Sequence, residues 1–552
     1  ELSNNVGTGL VLRLIDVREG RCMTFEIILV AIVLILCIAA DKFSGKFGMP
    51  ALILFIGIGM LFGCDGIAGI EFDNFKATEY ICNIALGFIM FYGGFNTKWK
   101  TAKPVAAKAI LLSTCGVLLT AAFTAVFCFY VLKFPFAESF LVGAVISATD
   151  AASVFAILRR KKLNLKDGVA SLLEIESGSN DPVAYMLTVI GISILNGDNL
   201  SSVPYAIFAQ LVYGTLIGVV LAVVAIYVLT KTDVIANGLD TIFILAVVLL
   251  GLGLSQYVGG NGFLCIYLLG ILLGNSRIRN KGNIVPFFDG VTTLAQIVIF
   301  FMLGLLSYPH MFPSIIPTSI AIAVFLTFVA RPVAVFAILL PFKCSIRQCL
   351  LVSWAGLRGA SSIVFSIFVM AGGADMSKDL FNIVFMISLM SVAIQGTLLP
   401  AVSSKLGMID EKSDVRKTFN DYQEESAITL MRMFIPEGHN WENKLISEVH
   451  MPTGAIALMI KRGRESIITR GNTRILGGDN LILSVPAYES SDNDSLEEVI
   501  ITSDNPWCNK TIRELNLSQD LIIALVKRGE ENIIPVGDTF IMDGDVVVIY
   551  RG

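Results

Sequence analysis

Apolar residues run along the chain as far as Leu399 in nearly uninterrupted blocks, not at the spacing of a half-buried surface helix. The blocks fall at 25–40, 50–64, 80–95, 104–132, 137–158, 169–194, 204–230, 238–257, 262–275, 290–307, 314–341, 348–371 and 380–400. A helix needs about 20 apolar residues to cross a bilayer, and a shorter block leaves its limits or its tilt open. The pattern predicts a polytopic α-helical membrane protein with about 13 transmembrane helices. From Ser403 the pattern changes to a polar linker reaching Leu430, then to short β-branched segments punctuated by glycine. Ala455–Ile460, Leu481–Val485, Leu521–Val526 and Asp545–Tyr550 read as strands of an α+β tail. The expected divisions are an N-terminal extension at 1–22, a membrane domain at 23–402, a linker at 403–430 and two tail modules at 431–490 and 491–552.

Basic residues sharpen the membrane reading. The connections after spans one, three, five, seven, nine and eleven carry Lys42/Lys46, Lys98/Lys100/Lys103, Arg159/Arg160/Lys161/Lys162/Lys166, Lys231, Arg277/Arg279/Lys281 and Lys343/Arg347. The alternate connections hold Lys76, Lys133 and Lys378 and lean acidic through Asp65, Glu71, Asp73, Glu79, Asp198, Asp375 and Asp379. By the positive-inside rule the N-terminus lies outside and the C-terminus in the cytoplasm, as expected for an inner-membrane protein of a bacterium.

Composition agrees: 55% of the 552 residues are hydrophobic, 16% are charged, and mean hydropathy is +0.74. No basic tract accompanies the net charge of −4, so nucleic acid is not an expected partner. The close cysteine pair is Cys344 and Cys349, no C-x-x-C occurs, and His310, His439 and His450 are scattered outside the apolar blocks. Zinc and Ser-His chemistry are excluded on that pattern.

The tail repeats itself. An ungapped shift of 66 residues places Trp441-Glu-Asn-Lys on Trp507-Cys-Asn-Lys, Lys461-Arg-Gly on Lys527-Arg-Gly, Ile467-Ile468 on Ile533-Ile534 and Gly478-Asp479 on Gly544-Asp545. Two copies of one small module are the direct reading.

The chemistry lies in the apolar half. Ionisable groups at bilayer depth cost roughly 2.5–3.5 kcal/mol each on insertion scales. Span six nevertheless contains Glu174-Ile-Glu176-Ser177-Gly-Ser-Asn180-Asp181-Pro182, and span five ends Ser147-Ala-Thr149-Asp150-Ala-Ala-Ser153. Helical spacing puts Glu176 with Asn180 and Ser177 with Asp181 on one continuous patch, which Thr149 and Asp150 can close from the neighbouring span. Carboxylate, hydroxyl and amide oxygens suit a hard alkali cation. A buried Asp181 holds either a proton or a cation, and that mutual exclusion is sufficient for exchange. If Asp181 alone titrates, one proton leaves for each monovalent cation and transport is electroneutral. Arg331 in span eleven and Arg358 in span twelve need carboxylate partners at this depth, and Glu176 is the expected partner of Arg358. For Arg331 a snorkelling position near the membrane surface is the alternative. Gly356 and Gly359 weaken span twelve, which runs opposite to span five, so two inverted repeats with crossed, broken helices are expected. Glu174 is either a group lining the access path or a solvated residue at the helix end.

Thr149-Asp150, Glu176-Ser177-Gly-Ser-Asn180-Asp181-Pro182 and Gly356-Leu-Arg358-Gly359 together resemble the NhaP-type monovalent cation/proton antiporters over most of residues 25–400. The resemblance implies cation ligands at Thr149, Asp150, Ser177 and Asp181, with Asn180 held by Glu176 and Arg358. It also implies a homodimer working by an elevator-like movement in membrane lipid. Phe91-Tyr92-Gly93-Gly94 resembles a Phe-acid-Gly-Gly segment of that family, with Tyr92 in place of the acid. The tail resembles the RCK-C (TrkA-C) module in tandem. No G-x-G-x-x-G follows a strand, so the nucleotide-binding half of those regulators is not expected. This tail points to potassium/proton exchange, with sodium/proton exchange on the same fold as the alternative, no cofactor, and a small regulator such as a cyclic dinucleotide. A dimerisation or stability module is the alternative for the tail.

Two other function classes fare worse. An intramembrane aspartyl protease would use Asp150 and Asp181 as a dyad but has no need of Asn180 or buried arginines, and its Tyr-Asp and Gly-x-Gly-Asp motifs are not at these positions. An RCK-gated channel would need a selectivity filter of the Thr-Val-Gly-Tyr-Gly type, which is missing.

Overall fold

A computed structural model describes residues 27–44, 51–410 and 428–551, apart from short stretches at 162, 198–199, 233–237, 277, 279–280, 374–378, 450, 452–454, 464, 487–494, 502–504, 516, 518–520, 529–530 and 534. The expected extension 1–22 and most of the expected linker lie outside the described residues, as do Lys46, Arg277 and Arg279. The chain divides into two units, one ending at Tyr422 and one beginning at Gln423.

The first unit is helical: α1 Ile27–Ser44, α2 Ala51–Phe62, α3 Phe75–Asn96, α4 Trp99–Leu111, α5 Val117–Tyr130, α6 Phe136–Val145, α7 Ala151–Arg160, α8 Val169–Leu195 and α9 Val203–Lys231. These are followed by α10 Asp240–Tyr257, α11 Gly262–Gly274, α12 Lys281–Leu305, α13 Phe312–Phe325, α14 Arg331–Leu339, α15 Ile346–Trp354, α16 Ala360–Ala371, α17 Leu380–Met390 and α18 Thr397–Lys405. Among the described residues seven helical segments are long and apolar enough to cross a membrane, the longest being Pro309–Leu339. Four shorter apolar helices (α2, α6, α11 and α16) belong to the same unit.

Apolar side chains cover both sides of such helices, so hydrophobicity alone does not choose the packing face; side-chain size does. On α9, Gly214, Gly218, Ala222 and Ala225 are buried while Leu216, Val220, Val223 and Tyr227 stay exposed. A Cβ on Gly218 would lie 2.5 Å from the Cys265 carbonyl oxygen, so α9 meets α11 backbone to backbone.

One group of helices joins α2 to α12, α3 to α11 and α12, and α9 to α10 and α11. The other joins α5 to α6, α6 and α4 to α8, α13 to α17, and α14 to α15. In this second group one order of elements occurs twice. A π turn at Leu112–Gly116 links α4 to α5, a break parts α6 from α7, and α8 follows. A π turn at Leu326–Ala330 links α13 to α14, a break parts α15 from α16, and α17 follows, joined to α18 by a third π turn at Ser391–Gly396. This recurrence matches the two-repeat layout expected from spans five and twelve. The membrane unit runs past residue 402: α18 reaches Lys405, and Met408 and Asp410 pair through backbone with Lys166 and Asn164.

The second unit contains two four-stranded antiparallel sheets of identical order. With β1 Ile428–Phe434, β2 Ile456–Arg462, β3 Glu465–Ile468 and β4 Asn480–Pro486, the first is β1-β4-β2-β3. With β5 Ser495–Ile500, β6 Lys510–Thr511, β7 Leu521–Arg528, β8 Glu531–Ile533, β9 Phe540–Ile541 and β10 Val546–Arg551, the second is β5-β10-β7-β8, and β6 pairs with β9. Repeated residues do repeated work. Asn443 and Asn509 take positive φ (65° and 60°), and Gly478 and Gly544 share a φ of 85°. Arg462 forks onto Asp479 with both hydrogen bonds at 2.8 Å, and Arg528 forks onto Asp545 at 2.9 and 2.8 Å.

Candidate cation site at the crossing of two broken helices

The two breaks lie against each other. After the turn that ends α6, Ala148–Asp150 runs without helical hydrogen bonding, and Gly356–Gly359 does the same between α15 and α16. The Asp150 N–H donates to the Leu357 carbonyl at 2.8 Å, tying one break to the other. Close approach requires the glycines. A Cβ on Gly359 would overlap Asp150 Oδ2, and one on Gly356 would sit 2.8 Å from Arg331 Nε.

Asp150 starts α7. Its Oδ1 accepts the Ser153 N–H at 3.2 Å and its Oδ2 accepts the Ser153 hydroxyl at 2.6 Å. A carboxylate in this capping position satisfies a helix N–H that has no partner within the helix and meets the positive end of the helix dipole. Thr149 is the hub towards α8. Its carbonyl accepts the Ser177 hydroxyl at 2.8 Å, its Oγ1 accepts Asn180 Nδ2 at 2.5 Å, and its hydroxyl donates to Glu176 Oε2 at 3.2 Å. Asn180 Nδ2 also donates to Glu176 Oε1 at 3.2 Å. Asp181, 5% exposed, takes the Ser361 hydroxyl on Oδ2 at 2.6 Å, and its Oδ1 is buried with no partner among the described residues. Thr149, Asp150, Ser177, Asn180 and Asp181 are thus brought to one place, on α8 and the break that faces it.

The arginines are distributed differently from expectation. Arg331, not Arg358, pairs with Glu176: Nη1 lies 3.0 Å from Oε1, and both side chains are almost fully buried. Arg358 donates through Nη1 to the Ser147 and Ala148 carbonyls, each at 2.7 Å. The physical reason lies in the break. Carbonyls at the C-terminal end of α6 lose their intrahelical partners and collect the negative end of its dipole, so the nearest guanidinium is drawn to them. Asn180 is accordingly held by Glu176 and Thr149, with no Arg358 contact among its hydrogen bonds. At 2% exposure Arg331 is not a snorkelling residue. Glu174 is half-buried on α8 and has a partner.

Several contributors escaped sequence reasoning. Ser153 and Ser361 each donate to a site aspartate from the first turn of the half-helix that follows a break. Ser391 accepts the Arg358 N–H at 3.0 Å, and Asn261 donates to the Pro182 carbonyl at 2.8 Å. Ser153 and Ser361 could have been found as hydroxyls two or three residues beyond an intramembrane break. Asn261 carries the signal of an amide flanked by glycines at a helix start, where its Oδ1 caps Leu264 N–H at 3.0 Å. Tyr92, in place of the acid, donates to Asp289 Oδ1 of α12 at 3.2 Å.

Crossed breaks that gather two aspartates and neutral oxygens inside an apolar helical unit define a secondary transporter, a cation/proton antiporter rather than an enzyme. The transmembrane sodium/hydrogen exchanger profile matches residues 29–405, and the TrkA-C domain matches twice, at 430–487 and 496–550. The chain belongs to the sodium/hydrogen exchanger family. It is 33% identical over 455 residues to the K(+)/H(+) antiporter NhaP2 of Shewanella baltica (strain OS223), covering 81% of this chain and 78% of that protein. It is 34% identical over 385 residues to the K(+)/H(+) antiporter NhaP of Alkalimonas amylolytica, covering 69% and 67%. The Na(+)/H(+) antiporter ApNhaP of Aphanothece halophytica is 24% identical over 406 residues, 69% of this chain and 74% of that one. Among solved structures, the sodium proton antiporter MjNhaP1 from Methanocaldococcus jannaschii at pH 8 shares the fold with a TM-score of 0.61 at 23% identity, over 68% of this chain and 99% of that one.

Proposed function

We propose that the protein exchanges K⁺ for H⁺ one for one, without net charge movement, across a bacterial cytoplasmic membrane. The charge inventory at the crossing carries this reading. Asp150, Asp181 and Glu176 face Arg331 and Arg358, so three carboxylates meet two guanidiniums and one negative charge remains. A single proton or a single monovalent cation cancels it, and the two loaded forms carry the same charge. Asp181 is the exchanging carboxylate because one of its oxygens is uncommitted. Asp150, Ser177 and Thr149 complete the cation ligands. Asn180 is oriented by Glu176, which Arg331 neutralises. Gly356 and Gly359 allow the close approach.

Preference for K⁺ is supported by the potassium/proton names of the relatives at 33% and 34% identity and by the tandem TrkA-C tail. Na⁺ exchange is the second reading, favoured by the sodium/proton name of the Aphanothece relative. The alternation of basic loops supports an external N-terminus and a cytoplasmic C-terminus. The family resemblance supports a homodimer with an elevator-like movement. The tail regulates exchange by binding a small ligand such as a cyclic dinucleotide.

The test is dye-monitored exchange in proteoliposomes, titrating K⁺, Na⁺ and Li⁺ at several pH values with and without an imposed potential. K⁺ should drive proton movement independently of the potential, and Asp181→Asn should abolish it in folded protein. Exchange retained by Asp181→Asn, or a rate that follows the potential, overturns the reading.

A further inference from the structure

We propose that Ser361 is a positioning residue of the exchange cycle: its hydroxyl holds one oxygen of Asp181 while the carboxylate is ionised, leaving the other oxygen to the exchanged ion. This rests on the reading of Asp181 as the exchanging group. The geometry is specific. Ser361 is the second residue of α16, 7% exposed, and its Oγ lies 2.6 Å from Asp181 Oδ2 across the interface with α8. A buried serine inside a helix commonly returns its proton to its own backbone, as Ser366 does to the Ile363 carbonyl at 2.6 Å. Ser361 instead spends its single proton on the carboxylate. A second feature fixes its place: Gly359, two residues earlier, packs on Asp150 with no room for a Cβ. The opening of α16 therefore touches both aspartates of the site. Asp150 receives the matching support, its Oδ2 taking the Ser153 hydroxyl at the start of α7. Each half-helix that follows a break offers one serine to one aspartate.

The chemistry rests on counting donors. A hydroxyl donating to an ionised oxygen makes a charge-assisted hydrogen bond, stronger than one to a neutral acceptor. Its benefit is kept while the carboxylate stays ionised, bare or with a cation on the other oxygen, and is smaller once a proton neutralises the group. Removing the hydroxyl therefore costs the bare and cation-bound forms alike, which favours the proton over the cation without changing how the bare carboxylate binds the cation. Because the proton is the competitor at acidic pH, the apparent KM for the cation rises there. At alkaline pH, where little proton is bound, KM returns to the value set by the cation ligands alone.

The experiment measures KM and maximal rate for K⁺ exchange across the pH range in proteoliposomes holding the full-length protein, comparing wild type with Ser361→Ala, Ser361→Thr and Ser361→Cys. Ser361→Ala should raise KM about tenfold at the acidic end, as expected for loss of a hydrogen bond to a charged group, and converge on wild type at the alkaline end. Ser361→Thr, which keeps the hydroxyl, should restore the profile, and Ser361→Cys, a weaker donor, should fall between. A KM unchanged at every pH, or raised by one constant factor throughout, overturns the proposal; the constant factor marks a direct ligand or a packing residue. If Ser361→Ala does not fold, the Thr and Cys variants decide, and identical profiles for those two overturn it. Absence of exchange in the wild type would instead reject the transport reading, so the two failures are distinguishable.

Discussion

The pairing of Glu176 with Arg331 invites a double-mutant cycle. The two side chains are 1% and 2% exposed and their charged atoms lie 3.0 Å apart. Coulomb's law at an effective dielectric of about 20 gives about 5.5 kcal/mol of attraction at that separation, offset by the loss of hydration of both groups. Removing one partner strands the other charge among apolar helices, which costs about 3–5 kcal/mol. Arg331→Met should therefore lower the thermal stability of the purified protein sharply. Glu176→Gln in the same chain should recover much of the loss, because the substituted amide keeps an oxygen for Asn180 and leaves no unpaired charge. The coupling energy between the two changes should reach about 2–3 kcal/mol, the upper range for groups in contact. Arg358→Met gives the contrast. Its guanidinium serves carbonyls, so Glu176→Gln should not rescue it. Thermal unfolding in detergent, followed by size-exclusion fluorescence for all six proteins including wild type and Arg358→Met/Glu176→Gln, reads the cycle. Rescue of Arg358→Met by Glu176→Gln, with none for Arg331→Met, would refute the assignment of partners.

Three further outcomes are expected. Gly359→Ala places a methyl group on top of Asp150 Oδ2 and must displace a helix-capping carboxylate, so exchange should collapse with about 1–3 kcal/mol of lost stability; near-normal transport would show that the crossing yields more readily than the contact suggests. Removing residues 411–552 should leave exchange intact while changing its regulation, and the cut falls after Asp410 because the residues before it pair with the loop at 164–166; loss of exchange in stable truncated protein would make the tail part of the transport machinery. In the second tail module the Arg528 hydrogen bonds hold the Asp545 carboxyl below its usual range against the opposing effect of burial. A depressed carboxylate contributes stability above its unfolded value of about 3.9 and loses it as pH falls through the lower folded value. Hydrogen-exchange protection of β10, corrected for intrinsic rates, should fall below about pH 4, and a flat profile there would contradict the linkage.

Much of the site is legible because membrane depth makes polar residues conspicuous. Glu176, Asn180 and Asp181 stand out on cost alone, and Asp150 and Gly359 mark the two breaks. The choice between Arg331 and Arg358 is not legible, since both lie in apolar runs and each partner depends on which backbone carbonyls a break exposes. Ser361 is hidden for a different reason: a serine costs little in a membrane helix, so nothing in the pattern separates one that serves a carboxylate from Ser366, which serves its own backbone. In the tail the 66-residue shift already aligns Arg462 with Arg528 and Asp479 with Asp545. Identity between copies thus marks both ends of an ion pair whose carboxylate is buried, although only the fold shows that the ends meet. The π turns leave no trace, because one extra residue in an apolar helix does not alter its hydropathy.

The π turn at Leu326–Ala330 acts as a phase shifter for the helix beyond it. Each residue of an α-helix turns the chain by about 100°, and the wider turn absorbs a residue that a regular helix would pass on as rotation. Arg331 is the first residue past the turn, and its direction around the helix is set by that absorbed residue. The same residues wound as an unbroken α-helix would present the same apolar surface, yet everything after Ala330 would be turned by about 100° relative to the part before it. The guanidinium would leave Glu176. A change of winding at one turn, silent in composition and hydropathy, would thus remove the counter-charge of the site, which makes the winding of this helix as much a part of the chemistry as the identity of the arginine.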